Sequence, residues 1–194
     1  MKTLSRKTDL AFSLIEMLVV TGIAAFLVAL VVPAVSRSVD SGKRTRCIAN
    51  LRQIGLGIAT YANDHDGKVP YLYDPTKAGE EFWYDAVCSS LGLPAGSWGQ
   101  DKKGLFRCPA AKTPVPNYTM SWSMTDRKVM AVTNAPQRVI IADGDGASGA
   151  GINESAPFGG LDAKRHATGA NYLFVDGHVE FLTTVPTNGL TPFN

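Results

Sequence analysis

Histidine side chains suited to metal binding are few in this chain, and no two of them lie close together in the sequence. The three histidines are His65, His166 and His178, and Asp176 precedes the last of them by two residues. Imidazole and carboxylate groups together could hold a zinc ion, but no pair of these histidines has the close spacing of a typical zinc site. We therefore expect structural roles and no metal, with His166 hydrogen bonded in a loop and Asp176 serving a turn.

A second candidate for ion binding is the segment DGDGASGAGINE, which runs from position 143 to position 154. Its first, third and twelfth residues are Asp143, Asp145 and Glu154, and a calcium-binding loop carries acidic ligands at those positions. The segment lacks an oxygen-bearing side chain at its fifth position and has Ser148 where the sharp turn needs glycine. It also follows a predicted strand rather than a helix. We expect a solvated glycine-rich loop and no cofactor, with structural calcium as the alternative.

The three cysteines allow a single disulfide bond within one chain. Cys88 and Cys108 could close a loop of about 21 residues, worth about 3 kcal/mol. Cys47 would then be left over, either as a thiol or in a bond between two chains. Because the number of cysteines is odd, spacing alone does not choose the pairing, and no Cys-x-x-Cys metal pattern is present.

Composition and motifs argue against an enzyme and against nucleic acid as a partner. The 194 residues are 45% hydrophobic with a net charge of +2, which suits one modest core and gives no strongly basic surface. The chain contains no G-x-S-x-G, His-Glu-x-x-His, phosphate-binding or dinucleotide-binding pattern. We find no nucleophile whose spacing places a base beside it.

Glu16 is the only ionisable side chain in the 21 residues from Phe12 to Val32. As a helix this run would be about 31 Å long, the thickness of the hydrocarbon core of a membrane. A carboxylate deep in hydrocarbon costs about 2.5–3.5 kcal/mol, but Glu16 lies only about 6 Å along the helix from Phe12 and can reach the interface. Where water is absent, this carboxylate needs a cation as its partner.

The apolar spacing of a helix continues beyond the membrane-sized run. Past Pro33, apolar residues follow at steps of four and three, at Cys47, Leu51, Ile54, Ile58 and Tyr61. We predict one helix with a transmembrane part at 12–32 and an amphipathic part at 33–62, and Pro33 can bend it locally. The lysines and arginines that flank the run would by themselves place the C-terminal part in the cytoplasm.

The remaining residues, 63–194, predict a soluble body that contains a short helix and several strands. We predict a helix at EEFWYDAVCSSLGL. We predict strands at NYTMSW, which ends at Trp122, and at RVIIAD. Asp176-Gly177 predicts a two-residue hairpin turn that pairs Val175 with His178. That register directs an aromatic face towards the long helix, made of Tyr172, Phe174, Val179 and Phe181. The predicted fold is α+β, a long N-terminal helix packed on a small antiparallel sheet.

The stretch FSLIEMLVV, behind a short basic leader at 1–11, resembles the type IV prepilin signature of pilins and type II secretion pseudopilins. The resemblance implies that a prepilin peptidase cuts between Ala11 and Phe12, that the new N-terminus at Phe12 is methylated, and that the apolar segment is retained. It also implies that Glu16 pairs with the Phe12 amine of a neighbouring subunit and that Pro33 lies where pilin helices bend. Ala11 departs from the glycine usual at the cut.

The C-terminal part carries a second likeness. His166 is followed, after nine residues, by Asp176-Gly177. This spacing resembles the C-terminal motif of a prepilin subfamily, and that motif marks the subfamily without specifying a chemistry. Together the two likenesses imply a structural subunit that assembles with itself or with other pilin-like subunits on an inner-membrane assembly platform, with its body in the periplasm or on the cell surface. Two alternatives stay open. One is a membrane-anchored or filament-tip binding module, and the other is a secreted enzyme behind an ordinary signal peptide.

Overall fold

The computed structural model describes residues 13–78, 81–94, 104–112, 116–145 and 160–186. The chain divides after Val39 into two compact units. The leader, the proposed cut between Ala11 and Phe12, and Glu154 of the calcium alternative lie outside the described residues.

Helix α1, Leu14–Asp64, is 51 residues long, which confirms the prediction of one long N-terminal helix. In the first unit its side chains are exposed, and it includes an 18-residue window that is long and apolar enough to cross a membrane, with none of it buried. Pro33 lies inside the helix. Because proline has no backbone N–H, the carbonyl of Ala29 loses its usual partner at this point, yet the helix continues.

In the second unit α1 supplies one wall of the core. Cys47, Leu51, Ile54, Ile58 and Tyr61 are buried at the helical spacing read from the sequence. The short helix α2, Trp83–Ser90, is the one predicted from EEFWYDAVCSSLGL.

Helix α2 approaches α1 at a glycine. A Cβ atom built on Gly57 would lie 2.7 Å from Cγ1 of Val87, which is closer than two carbon atoms normally approach. Glycine at this position therefore lets the two helices pack closely.

Within the described residues the sheet has four antiparallel strands in the order β1-β2-β3-β4. The strands are β1 (Tyr118–Met120), β2 (Val139–Asp143), β3 (Ala170–Phe174) and β4 (Val179–Leu182). Met120, Ile141 and Leu173 share one core cluster with Leu51 and Ile54 of α1, so one face of the sheet packs on the helix. The predicted α+β fold is confirmed.

The predicted end of the first strand was wrong. Trp122 lies in a 3-10 turn, Trp122–Met124, and is 49% exposed. A strand of three residues ends before the alternation in the sequence does, because Ser121 already leads into the turn.

The predicted register of the hairpin was also wrong. Leu173 pairs with Val179, and Phe174 pairs through its N–H with the carbonyl of His178, one residue away from the predicted pairing. Gly177 has φ of +90°, whereas Asp176 is not in the left-handed region, so the connection is a three-residue loop with a glycine bulge.

A register change of one residue moves every side chain of the strand to the other face. Leu173 and Val179 therefore face the core that contains α1, while Tyr172 and Phe174 belong to a second cluster on the opposite face. Leu161, Leu182 and Val185 cover that second cluster. Tyr172 and Phe174 therefore do not pack on the helix as predicted. Val179 does pack on the core that contains α1, and the guanidinium of Arg44 of α1 lies 4.7 Å from the ring centroid of Phe181.

Candidate functional site

Glu16 caps the N-terminal end of α1. The backbone N–H of Ser13 donates a hydrogen bond to Oε2 of Glu16 at 2.9 Å. Ser13 precedes the first helical residue and Glu16 is the third residue of the helix, which is the spacing of a capping box. Glu16 thus satisfies one backbone donor that the helix itself leaves open, a role that sequence reasoning missed although Ser-x-x-Glu signals it.

The predicted pairing of Cys88 with Cys108 was wrong. Cys47 of α1 forms the disulfide with Cys108, and their Cα atoms are 5.2 Å apart. Cys88 is a buried thiol on α2. Loop-closure entropy changes only slowly with loop length, so spacing in the sequence could not distinguish the two pairings.

The disulfide holds the segment before β1 against the helix, and polar side chains reinforce it. Nδ2 of Asn50, one turn along α1 from Cys47, donates to the carbonyl of Arg107 at 2.9 Å and to the hydroxyl of Tyr118 at 3.2 Å. Oδ1 of Asn117 accepts from the N–H of Cys108 at 3.2 Å. Burial raises the pKa of Tyr118 well above its usual range, so this phenol is neutral at physiological pH.

His166 lies beside this disulfide and not beside the other end of its sequence motif. Its Nε2 atom is 3.7 Å from Sγ of Cys108 and 3.4 Å from Oδ2 of Asp143, and its side chain is 4% exposed. Its backbone N–H donates to the carbonyl of Gly169 across a turn in which Ala167 has φ of +65°. A Cβ atom on Gly169 would overlap the backbone of β4. The turn is therefore fixed tightly and aims the imidazole into the interior.

Asp143, the last residue of β2, is a fully buried carboxylate in the same place. Its Oδ2 atom accepts hydrogen bonds from the backbone N–H of Asn171 at 2.7 Å and from the side-chain amide of Asn171 at 3.0 Å. Its Oδ1 atom has no hydrogen-bond partner among the residues that the structure describes. We refer to Cys47, Cys108, Asp143 and His166 as the buried cluster.

The position of Asp143 bears on the calcium alternative. Its carboxylate is turned into the interior and held by Asn171, whereas Asp145 is only two residues further along the chain. Alternate residues of a strand point to the same face. Asp143 and Asp145 would therefore share a face if the strand continued, but β2 ends at Asp143. Within the described residues, Asp143 is thus part of the buried cluster.

Asp176 and Gly177 form the hairpin turn between β3 and β4. Oδ1 of Asp176 accepts from the backbone N–H of His178 at 3.1 Å and lies 2.5 Å from Nδ1 of the same residue. Partial burial disfavours the charge of Asp176, but these hydrogen bonds outweigh it and hold the pKa of Asp176 below its usual value. His178 also stacks on Phe174, with ring centroids 4.3 Å apart. Asp176 serves the turn, as the sequence suggested.

The three histidines do not gather into one site in the part of the chain that the structure describes. His166 belongs to the buried cluster, His178 to the hairpin turn, and His65 stacks on Tyr61 at the end of α1, with ring centroids 3.7 Å apart. The ligand set that does converge contains the sulfur atoms of Cys47 and Cys108. Sequence reasoning considered cysteine ligands only at close spacing, and it left Cys47 out of the disulfide.

An apolar cavity of about 280 Å³ lies between the C-terminal half of α1 and the hairpin turn. Its lining includes Gly55, Ile58, Ala62, Met130 and Phe174, together with Asp176 and Gly177 of the turn. Its lining is largely apolar, and its polar side chains are the carboxylate of Asp176 and the amide of Asn63.

Comparison of the chain with protein-family models, with curated proteins and with solved structures found no match.

Proposed function

We propose that this protein is a non-enzymatic structural subunit of a type IV pilus-like or type II secretion filament. A prepilin peptidase removes residues 1–11, the N-terminus at Phe12 is methylated, and subunits polymerise through the apolar part of α1. Before assembly the subunit is a single-pass protein of the inner membrane with a periplasmic body. Afterwards it is part of a filament with copies of itself or with other pilin-like subunits.

The observation that carries this proposal is that the two parts of α1 have different surroundings. One unbroken helix is exposed and apolar over residues 14–35 and then becomes one wall of the core of the body, from Cys47 to Ala62. Exposed apolar surface of this extent marks contact with lipid or with other protein. A cleaved signal peptide would not need to be continuous with a structural helix of the mature body.

The environment of Glu16 gives the polymerisation step its chemistry. In the isolated subunit its carboxylate accepts from Ser13, and near the membrane interface this end can also reach water. Among packed apolar helices water is excluded, and an unpaired carboxylate there costs several kcal/mol. The amine of Phe12 on a neighbouring subunit is a cation at the same end of the helix, and pairing with it fixes the axial register.

The experiment separates the charge of Glu16 from its role as a cap. Glu16→Gln retains a side-chain oxygen that can accept from Ser13, since glutamine also serves in capping boxes, but it removes the charge. We expect both Glu16→Gln and Glu16→Leu to insert into the membrane normally and to be absent from purified filaments. The matched control is Thr21→Val, which removes another polar side chain from the apolar part of α1. The Thr21 hydroxyl donates to the helix carbonyls of Met17 and Leu18.

Normal filament incorporation of Glu16→Gln would contradict the ion pair. If Glu16→Gln assembles while Glu16→Leu does not, capping of the helix is what assembly requires. If the wild type and all variants stay in the membrane and never enter a filament, the membrane-anchored binding module becomes the better proposal.

A further inference from the structure

We propose that the buried cluster is a binding site for a divalent transition metal, with zinc as the best fit, whenever the Cys47–Cys108 disulfide is open. The ligands are the two cysteine thiolates, Nε2 of His166 and Oδ2 of Asp143. The disulfide and the metal are two alternative ways of joining α1 to the sheet. This inference does not depend on the proposed filament.

Three of the proposed ligands lie close together, and Asp143 adjoins one of them. The two Sγ atoms and a ring nitrogen of His166 lie within 4.8 Å of one another. Zinc holds sulfur at about 2.3 Å and nitrogen or oxygen at about 2.0–2.1 Å, so tetrahedral geometry separates sulfur from nitrogen by about 3.6 Å and nitrogen from oxygen by about 3.3 Å. The corresponding distances here are 3.7 Å from Cys108 to His166 and 3.4 Å from His166 to Asp143.

The surroundings also suit a metal. Cys47, Cys108 and Asp143 are 0% exposed, so bound metal would be shielded from water. Asn171 holds the carboxylate through two hydrogen bonds to the same oxygen, as residues around a metal site orient its ligands. The unpartnered Oδ1 atom of Asp143 is a buried acceptor that the rest of the described fold leaves unsatisfied. A nearby dication would stabilise this carboxylate.

The donor set favours zinc. Two thiolates with one imidazole and one carboxylate are typical of tetrahedral zinc, whereas magnesium and calcium prefer shells made only of oxygen. Binding of zinc releases the two thiol protons. In the reverse direction a small-molecule disulfide takes two electrons from the two thiolates, the Cys47–Cys108 bond forms, two protons are taken up by the reduced small molecule, and zinc leaves.

The two states correspond to two compartments. In a reducing compartment the thiols persist and the metal joins α1 to the segment before β1, and in an oxidising one the disulfide takes over that role. In the metal state His166 becomes a ligand, in addition to the contacts that it makes with Cys108 and Asp143 when the disulfide is closed.

The test uses the full chain in detergent micelles, with Cys88→Ala so that the remaining thiols are those of the buried cluster. The chain is unfolded and reduced with a dithiol, freed of reductant without air, and refolded with Co²⁺, whose bonds to thiolate absorb in the near ultraviolet. We expect one Co²⁺ per chain, displaced by Zn²⁺ and released by a small-molecule disulfide. We expect His166→Ala to weaken binding at least tenfold, while the control His65→Ala leaves it unchanged.

Three results would overturn the proposal. The first is the absence of the thiolate absorption after refolding. The second is equal Co²⁺ binding by His166→Ala and by the parent, which would show that the two thiols bind metal without a built site. The third is equal binding by the oxidised chain, in which the thiolates do not exist. Folding of each variant is verified in its oxidised form by circular dichroism, because the disulfide holds the body without the metal.

Discussion

Replacing Cys47 by alanine should open the disulfide to Cys108 and destabilise the body by about 4 kcal/mol. The bond joins residues 61 positions apart in the sequence. In the chain-entropy description, releasing a loop of that length increases the entropy of the unfolded chain by an amount worth about 4 kcal/mol at 25 °C. Cys47→Ala also removes one buried sulfur atom, so the comparison needs a variant that loses a buried sulfur without losing the bond.

Cys88→Ala is that matched control. Both Cys47 and Cys88 are 0% exposed, so the two truncations leave cavities of similar size. Unfolding in urea can be followed by the fluorescence of Trp83, which is fully buried in the same core. With a denaturant dependence of about 2 kcal/mol per molar, the midpoint of Cys47→Ala should fall about 2 M below that of Cys88→Ala.

Thiol counts under denaturing, non-reducing conditions check the same pairing independently. With three cysteines and the bond between Cys47 and Cys108, the wild type should show one thiol, Cys88→Ala none and Cys47→Ala two. A bond between Cys88 and Cys108 would reverse the two variants. Equal urea midpoints for both variants, or reversed thiol counts, would refute the structural role assigned to this disulfide.

Three further predictions concern the turn, the pH dependence and the processing step. Gly169→Ala should destabilise the body by about 2–3 kcal/mol in urea, because its Cβ atom would meet the backbone of β4, whereas the exposed helical Gly42→Ala should stabilise it by about 1 kcal/mol. A loss of stability in Gly42→Ala as large as in Gly169→Ala would contradict this. Burial and a nearby carboxylate raise the pKa of Tyr172 to about 12, so its neutral form stabilises the fold fully below pH 10 and the stabilisation is lost as the pH rises from 10 to 12. Unfolding free energies measured over this range should therefore fall less in Tyr172→Phe than in wild type or in the exposed control Tyr73→Phe, and equal slopes would show that Tyr172 titrates normally. Ala11→Leu should block peptidase cleavage, and electrophoretic migration identical to that of the mature wild type would place the cut elsewhere.

The helix and the fold class could be predicted because their signals are local and repeated. The apolar positions from Cys47 to Tyr61 recur at helical spacing over several turns, and the structure buries that face. RVIIAD likewise predicted β2, and the apolar alternation around Asp176-Gly177 predicted a hairpin between β3 and β4. Such signals depend on which residues follow one another, and a single sequence contains that information.

The hairpin register and the buried cluster could not be predicted because they depend on contacts across the fold. Asp-Gly suits both a two-residue turn and a three-residue turn with a glycine bulge, and the difference of one residue changes which face of β3 lies on the same side as Val179 and Phe181 of β4. Packing of Leu173 against Gly55 of α1, with a built Cβ atom 3.2 Å away, accompanies the observed choice. Cys47, Cys108 and His166 come from three separate segments, and their spacing in the sequence does not indicate that they meet.

The most direct test of the proposed function is mass spectrometry of the N-terminal peptide of the protein isolated from membranes and from shed filaments. The proposal predicts a chain that begins at Phe12, carries one methyl group on its amine, and contains the whole apolar part of α1 in both fractions. A chain that begins near Arg37, with the apolar part removed, would contradict the proposal and would favour a secreted protein instead.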